Sequence, residues 1–178
     1  MEQDIRFCTA SDGARIAYAT VGAGPPLVKA ANWLNHLEFD WRSPVWRHWL
    51  EEMSKDHLFV RYDERGTGLS DWDVADLSFE AWVRDLESVV DALGLERFAL
   101  LGWSQGGAVA IAYAVRHPER VSHLVLYGSF AKGWFGRDLT PEQTEELQAL
   151  LTLTRVGWGR DEPTYRQIWT SRMMPEAT

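Results

Sequence analysis

Apolar positions repeat with two different periods over roughly the first 130 residues, and the switches between them mark out the elements. Ile5 to Thr9 and Ala14 to Thr20 alternate or run apolar on either side of Ser11-Asp12-Gly13, a turn signal, which predicts an antiparallel hairpin closed by Gly22-Ala23-Gly24-Pro25-Pro26. Leu27 to Ala31 is a short apolar run of the kind a buried central strand shows, interrupted only by Lys29. Ser43-Pro44, followed by Val45, Trp46, Trp49, Leu50 and Met53 at helical spacing, predicts an N-cap, a proline at the first helical position and an amphipathic helix. His57 to Tyr62 reads as the next strand and runs into Asp63-Glu64-Arg65-Gly66-Thr67-Gly68. Ser78 caps a long helix with Trp82, Val83, Leu86, Val89, Val90 and Leu93 on its apolar face and a stop at Gly94. Arg97 to Leu101 is a strand, Gln105 to Arg116 a helix of small apolar residues ending before Pro118, and Val121 to Tyr127 another strand.

The order β-β-β-α-β-α-β-α-β calls for right-handed crossovers and an α/β architecture with a mostly parallel sheet covered on both faces. After Gly128 the pattern changes: Thr140-Pro141-Glu142 opens an acidic helix to about Thr154, Glu162-Pro163 opens another to about Met174, and no strand follows. The expected organisation is a core over 1–130 and a helical segment over 131–178, placed as a cap over the carboxyl edge of the sheet.

Length and composition narrow the function classes. The 178 residues, 46% of them apolar, suffice for one domain with a sizeable core. The formal charge of −8 comes from 26 acidic residues spread among 18 basic ones, with no Lys/Arg block to track a phosphate backbone, so nucleic acid is not an expected partner. The start, Met1-Glu2-Gln3-Asp4-Ile5-Arg6, is acidic with no apolar stretch behind it, and no run approaches membrane-spanning length. Together with the single cysteine, Cys8, which reads as an ordinary strand residue, this predicts a soluble cytoplasmic protein without membrane contacts. Ten tryptophans are many, and several (Trp33, Trp41, Trp46, Trp72, Trp103, Trp134, Trp158) fall near predicted loops where they could line an apolar pocket. No spacing calls for a metal or a cofactor.

The chemistry is concentrated in Gly102-Trp103-Ser104-Gln105-Gly106-Gly107, which lies between the apolar strand Phe98-Ala99-Leu100-Leu101 and a small-residue helix. A G-x-S-x-G sequence in that context is a sharp strand-to-helix turn that forces its serine into an unfavourable backbone conformation and presses the flanking positions against neighbouring backbone. Glycine is therefore required at 102 and 106, and the hydroxyl of Ser104 is held clear of the sheet. The helix beginning at Gln105 aims unpaired amides and its positive dipole end at the reacting oxygen, which favours an oxyanion. An ordinary glycine-rich turn is the bland alternative, and the flanking strand and helix argue against it.

With these residues in view, the stretch from about Ile5 to Phe130 resembles the catalytic half of the α/β-hydrolase family. Pro25-Pro26-Leu27-Val28 resembles the strand leading into that family's oxyanion loop, Asp63-Glu64-Arg65-Gly66-Thr67-Gly68-Leu69-Ser70 matches its D-x-R-G-x-G-x-S stretch, residues 102–106 match its nucleophile elbow, and His117-Pro118-Glu119-Arg120-Val121 matches the turn into the following strand. Asn32-Trp33-Leu34-Asn35-His36-Leu37-Glu38, in place of the usual His-Gly loop, is similar to bacterial hydrolase modules found alone or joined to adenylate-cyclase or LuxR-type domains. The resemblance implies a nucleophile at Ser104, an oxyanion hole from the backbone N–H groups of Gln105 and Trp33, and substrate contacts at Trp103 and His36. Core packing is an equal alternative for the Trp33 and Trp103 side chains. Asp63 and Arg65 invite a catalytic role, but in the family pattern that stretch shapes a loop, and a paired or amide-bound structural role is the expectation.

In this fold the chain order is serine, then acid, then histidine, and here the order is not completed: the last histidine is His123, in a predicted strand. The expectation is that these 178 residues are short relative to a chain of full family length. His36 alone sits on the correct edge of the sheet, where a substrate-contact or loop-structuring role is preferred to that of general base; His48, His57 and His117 are poorly placed. An uncovered edge on the last strand would favour homo-oligomerisation. Two functions follow from these readings. One is a serine hydrolase cleaving small-molecule carboxylic esters through an acyl-enzyme, with perhydrolysis and C–C bond hydrolysis open to the same machinery. The other is a non-catalytic module that binds a small apolar ligand and reports it to a partner.

Overall fold

The computed structural model describes residues 2–173. The chain divides into two compact units that meet in sequence between Ala131 and Lys132.

The first unit is a six-stranded sheet with helices on both faces. Strands β1 (Asp4–Thr9) and β2 (Arg15–Val21) form the N-terminal hairpin, in register from Asp4 opposite Thr20 to Thr9 opposite Arg15. Strand β3 (Pro26–Lys29) is followed by helices α1 (Leu37–Arg42) and α2 (Arg47–Met53), then β4 (Leu58–Tyr62), α3 (Phe79–Ala92), β5 (Phe98–Trp103), α4 (Gly106–Arg116) and β6 (Val121–Tyr127). The sheet order is β1-β2-β4-β3-β5-β6; β2 pairs with β4 antiparallel, and the β4, β3, β5 and β6 pairings are parallel. The sheet is mostly parallel, with an antiparallel N-terminal hairpin and helices on both faces, as the strand and helix order implied.

Alternation along each strand sorts the side chains between the two faces. On one face Val28, Val60, Tyr62, Phe98 and Leu100 pack with Val83, Leu86 and Val90 of α3 and Val109, Ala110 and Tyr113 of α4. On the other, Val21 and Phe59 pack with Leu50, Leu27, Trp41 and Met53, and Ala17 and Ala19 with Leu37. This second face is covered by α1 and α2, which have only six and seven residues. Lys29 and Arg61, register partners on β3 and β4 and each one residue past the buried Val28 and Val60, therefore fall on the thinly covered face.

The expected helix over 43–53 differs from the one observed. Ser43 is the C-cap of α1, a helix that the apolar pattern did not announce, and regular α2 begins at Arg47 behind Trp46, which makes no side-chain cap. The Ser43 hydroxyl does accept the Val45 N–H at 3.2 Å, and the Arg47 N–H donates to the Ser43 carbonyl at 2.9 Å, so the capping chemistry forms a turn between two short helices rather than the start of one longer helix. Strand β3 ends at Lys29 rather than Ala31, and β5 runs two residues past Leu101, to Trp103.

A buried polar network fixes the loop after β4. Asp63 accepts from the Asn35 side-chain amide at 2.6 Å, the Leu37 N–H at 3.1 Å and the Leu69 N–H at 2.8 Å. A Cβ at Gly68 would lie 2.0 Å from that carboxylate, so the loop closes on it only with glycine there. Arg65, fully buried, pairs with Asp85 of α3 at 2.7 Å and with Asp12 of the β1–β2 turn at 2.6 Å. Both residues thus have the structural roles expected of them.

The second unit contains α5 (Pro141–Gly157) and α6 (Pro163–Met173). Thr140 and Gln143 form a capping box at the start of α5. The helices meet where Gly157 leaves no room for a side chain: a Cβ there would sit 2.3 Å from the Tyr165 ring. The expected reach of the last helix to about Met174 lies outside the described residues.

Because Asp85 has no exposure and holds an equally buried guanidinium, Asp85→Ala strands a charge. It is expected to lower unfolding free energy by about 3–5 kcal/mol, measured by urea denaturation.

Candidate active site

Ser104 stands alone between the last residue of β5 and the cap of α4, with φ of +53°. A non-glycine residue in this region is strained by contact between its Cβ and the following carbonyl, and persists only where surrounding structure over-determines it. Here the Ser104 N–H donates to the Tyr127 carbonyl of β6 at 3.0 Å, and its carbonyl accepts from the Gly107 N–H at 3.1 Å. The side chain is partly exposed.

The flanking glycines are required by proximity. A Cβ at Gly102 would lie 2.6 Å from the Gly107 Cα, and one at Gly106 2.4 Å from the Ala31 carbonyl oxygen. The second contact draws the start of α4 onto the end of β3, where the Ala30 N–H also donates to the Leu101 carbonyl at 2.9 Å. The segment that follows, Asn32-Trp33-Leu34-Asn35, turns back at once: the Asn35 N–H donates to the Asn32 carbonyl at 3.2 Å, and Leu34 has φ of +64°. Leu34 and Ser104 are the only non-glycine residues with positive φ among the described residues, so both strained positions belong to the two loops that this approach brings together.

The residues implicated by sequence are distributed as follows. Gln105 is the N-cap of α4, and its amide finds no acceptor among the described residues, as a helix N-terminus leaves it. Trp33 is 40% exposed and lines, with Trp103, Trp46 and Leu50, a cavity of about 370 Å³. Trp103 is also packed edge-on against Trp46, Trp49 and Tyr127, with ring centroids 5.2, 5.6 and 5.2 Å away, so wall and packing roles coincide in one side chain. His36 is drawn elsewhere. It is the N-cap of α1, where its Nδ1 accepts the Glu38 and Phe39 N–H groups at 3.2 and 3.4 Å, its ring rests on Phe39, and it does not line the cavity. The Nδ1 of His36 is thus directed at the start of α1 rather than at Ser104.

The other histidines are no nearer to serving Ser104. His48 is exposed on α2, His57 precedes β4, His117 caps the C-terminus of α4 beside Glu87 at 3.0 Å, and His123 is exposed on β6. Among the described residues no histidine or carboxylate hydrogen-bonds the Ser104 hydroxyl, and no cluster of three His, Cys, Asp or Glu could hold a metal ion.

Sequence reasoning missed the polar lining of the cavity: Lys29, Arg61, Asp40 and Asn35. The one available signal was Lys29, a charge inside an apolar strand run. Burial pushes the Asp63 carboxyl up to about 6 and the Glu64 carboxyl up to about 7.

These geometries can be set beside known proteins. The profile of the alpha/beta hydrolase fold family matches residues 36–165, and the chain belongs to that family. A 2-hydroxymuconate semialdehyde hydrolase of Pseudomonas sp. (strain CF600) is 37% identical over 109 residues, covering 61% of this chain and 34% of that protein. A pimeloyl-[acyl-carrier protein] methyl ester esterase of Nitrosomonas europaea is 35% identical over 116 residues, covering 65% of this chain and 42% of that protein. The chain thus spans well under two thirds of the length of these hydrolases. An esterase structure from Exiguobacterium antarcticum superposes with a TM-score of 0.65 at 25% identity over 97% of this chain and 68% of its own. No helix among the described residues is long and apolar enough to cross a membrane.

Two outcomes follow from the strain and the burial. Ser104→Gly is expected to be more stable than Ser104→Ala by about 1 kcal/mol in denaturant unfolding, because only glycine accepts the +53° bend without strain. Glu64, normally near 4.5 and here about 7, favours its neutral form in the folded state, so its stabilisation is complete below pH 4.5 and lost as the pH rises through 7. Glu64→Gln should flatten that decline and exceed the wild type in thermal stability at alkaline pH.

Proposed function

We propose that this chain is the nucleophile-bearing part of a serine hydrolase acting on carboxylic esters. The observation that carries the reading is Ser104 itself, strained at φ +53°, partly exposed, and placed where the Gln105 amide is unpaired. In the reaction the Ser104 Oγ adds to the ester carbonyl, forming the C–O bond as its proton is taken by a base. The carbonyl oxygen gains the negative charge, which the amides of Gln105 and Trp33 receive as hydrogen-bond donors. Collapse expels the alcohol with a proton and leaves an acyl-serine. Water then adds to this ester, releasing the acid and restoring the hydroxyl. Hydrolases among the relatives, including a methyl ester esterase, support the class. The reading gives the chain the nucleophile and the oxyanion donors, and assigns none of the described histidines as base. Without a positioned histidine, turnover through the acyl-serine is expected to be slow.

A second reading, a ligand-binding module without turnover, is favoured by one observation: the Ser104 hydroxyl lacks a histidine partner among the described residues. A fluorophosphonate probe separates the two. Labelling of the folded wild type at Ser104, absent in Ser104→Ala, together with slow release of p-nitrophenol from p-nitrophenyl acetate that the same substitution abolishes, is the expected result. Folded protein that stays unlabelled while a small ligand still stabilises it, in wild type and Ser104→Ala alike, would establish the second reading instead.

A further inference from the structure

The cavity beside Trp33 and Trp103 contains a buried cation without a counter-ion. Lys29 is 8% exposed, and its ammonium donates to the side-chain oxygen of Asn32, a neutral group; among the described residues no carboxylate lies within ion-pair distance of it. The nearest acid on the lining, Asp40, is engaged by Arg61 at 3.4 Å. Arg61 is itself 4% exposed; its two terminal nitrogens reach Asp40, the Gln3 side chain and the Leu37 carbonyl, while its Nε has no partner. Asn35, also on the lining and 7% exposed, leaves its Oδ1 unpaired.

Burying an ammonium whose carboxylate neighbours, Asp40, Glu64 and Asp63, act on it only beyond ion-pair distance is costly, and an unpaired guanidinium N–H adds to the cost. The strain shows in Lys29, whose ammonium burial pushes down to about 8. A cavity of about 370 Å³ lined by Lys29, Arg61 and a single carboxylate, Asp40, which Arg61 engages, between indole walls is matched by a small acyl compound ending in a carboxylate.

We propose that this cavity is a carboxylate-binding subsite, in which Lys29 holds an acid group on the acyl part of the ligand. Binding stands independently of catalysis. Its consequence for substrate class, half-esters of short dicarboxylic acids, rests on the hydrolase reading of Ser104. The same subsite chemistry would also hold the simple acid that ester cleavage releases.

The full chain carrying Ser104→Ala, which turns nothing over, is titrated calorimetrically with monomethyl glutarate, dimethyl glutarate and butyrate. The half-ester is expected to bind about tenfold or more tightly than the neutral diester, as a charge-assisted contact provides. Lys29→Met should erase that difference, and Lys29→Gln, which keeps a polar head for Asn32, serves the same purpose if the methionine variant fails to fold. Butyrate weaker than the half-ester identifies the second carboxylate of a substrate as the occupant; butyrate equal to it identifies the released acid. Equal binding of the half-ester and the diester, or a preference that survives both Lys29 substitutions, overturns the subsite. Fluorophosphonate labelling of the wild type is read separately: labelling without acid preference removes the subsite and leaves the hydrolase, and acid preference without labelling does the reverse.

Discussion

Where α4 begins, its first residue lies so close to the end of β3 that any side chain at 106 would strike the Ala31 carbonyl. The rest of the site depends on that approach. To turn from β5 into a helix starting there, the chain must bend within two residues, and the bend is what drives Ser104 to positive φ. The same approach brings the start of α4 against Ala30 and Ala31, and the loop that follows them absorbs a strained residue of its own at Leu34. The cost is met by interactions made elsewhere in the sheet, chiefly the pairing of β5 with β3 and β6 and the packing of α3 and α4 over one face.

The opposite face is held by different physics. Short helices α1 and α2 cannot bury a full apolar layer, and charged groups fill the space between them and the strands. Where partners are complete, as for Asp63 with its amide donors and Arg65 with two aspartates, those charges act as fasteners that hold irregular loops in one conformation. Around Lys29, whose ammonium meets only the neutral Asn32 side chain and the Trp103 ring, the set is incomplete.

Much of this was legible in advance. Strands β1, β2, β4 and β6 and helices α3 and α5 were readable because alternation, a serine or threonine cap and a stopping glycine are local signals. The bend at 102–106 was readable for the same reason, since its glycines report close contacts whatever the partner. Helix α1 was not readable: six residues carry too little periodicity, and its cap is a histidine rather than one of the usual capping residues. His36, read from the sequence as a substrate-contact or loop-structuring residue, takes the second role as the cap of that helix. Ser43 and Pro44 looked like the start of a helix because the same residue types also make the turn between two.

The sequence by itself determined the order of strands and helices, the position of the sharp turn and the identity of the residue at its tip, because backbone preference and side-chain periodicity are set within a few neighbours. Only the tertiary structure decided that Lys29 and Arg61 face one another across β3 and β4, that Asp40 reaches one and leaves the other, and that Trp33, Trp46 and Trp103 wall the space between. Those facts depend on the register between strands that are about thirty residues apart and on which face a thin pair of helices leaves open. The worth of a charge depends on what surrounds it after that pairing, so no local pattern along the chain could have foretold it.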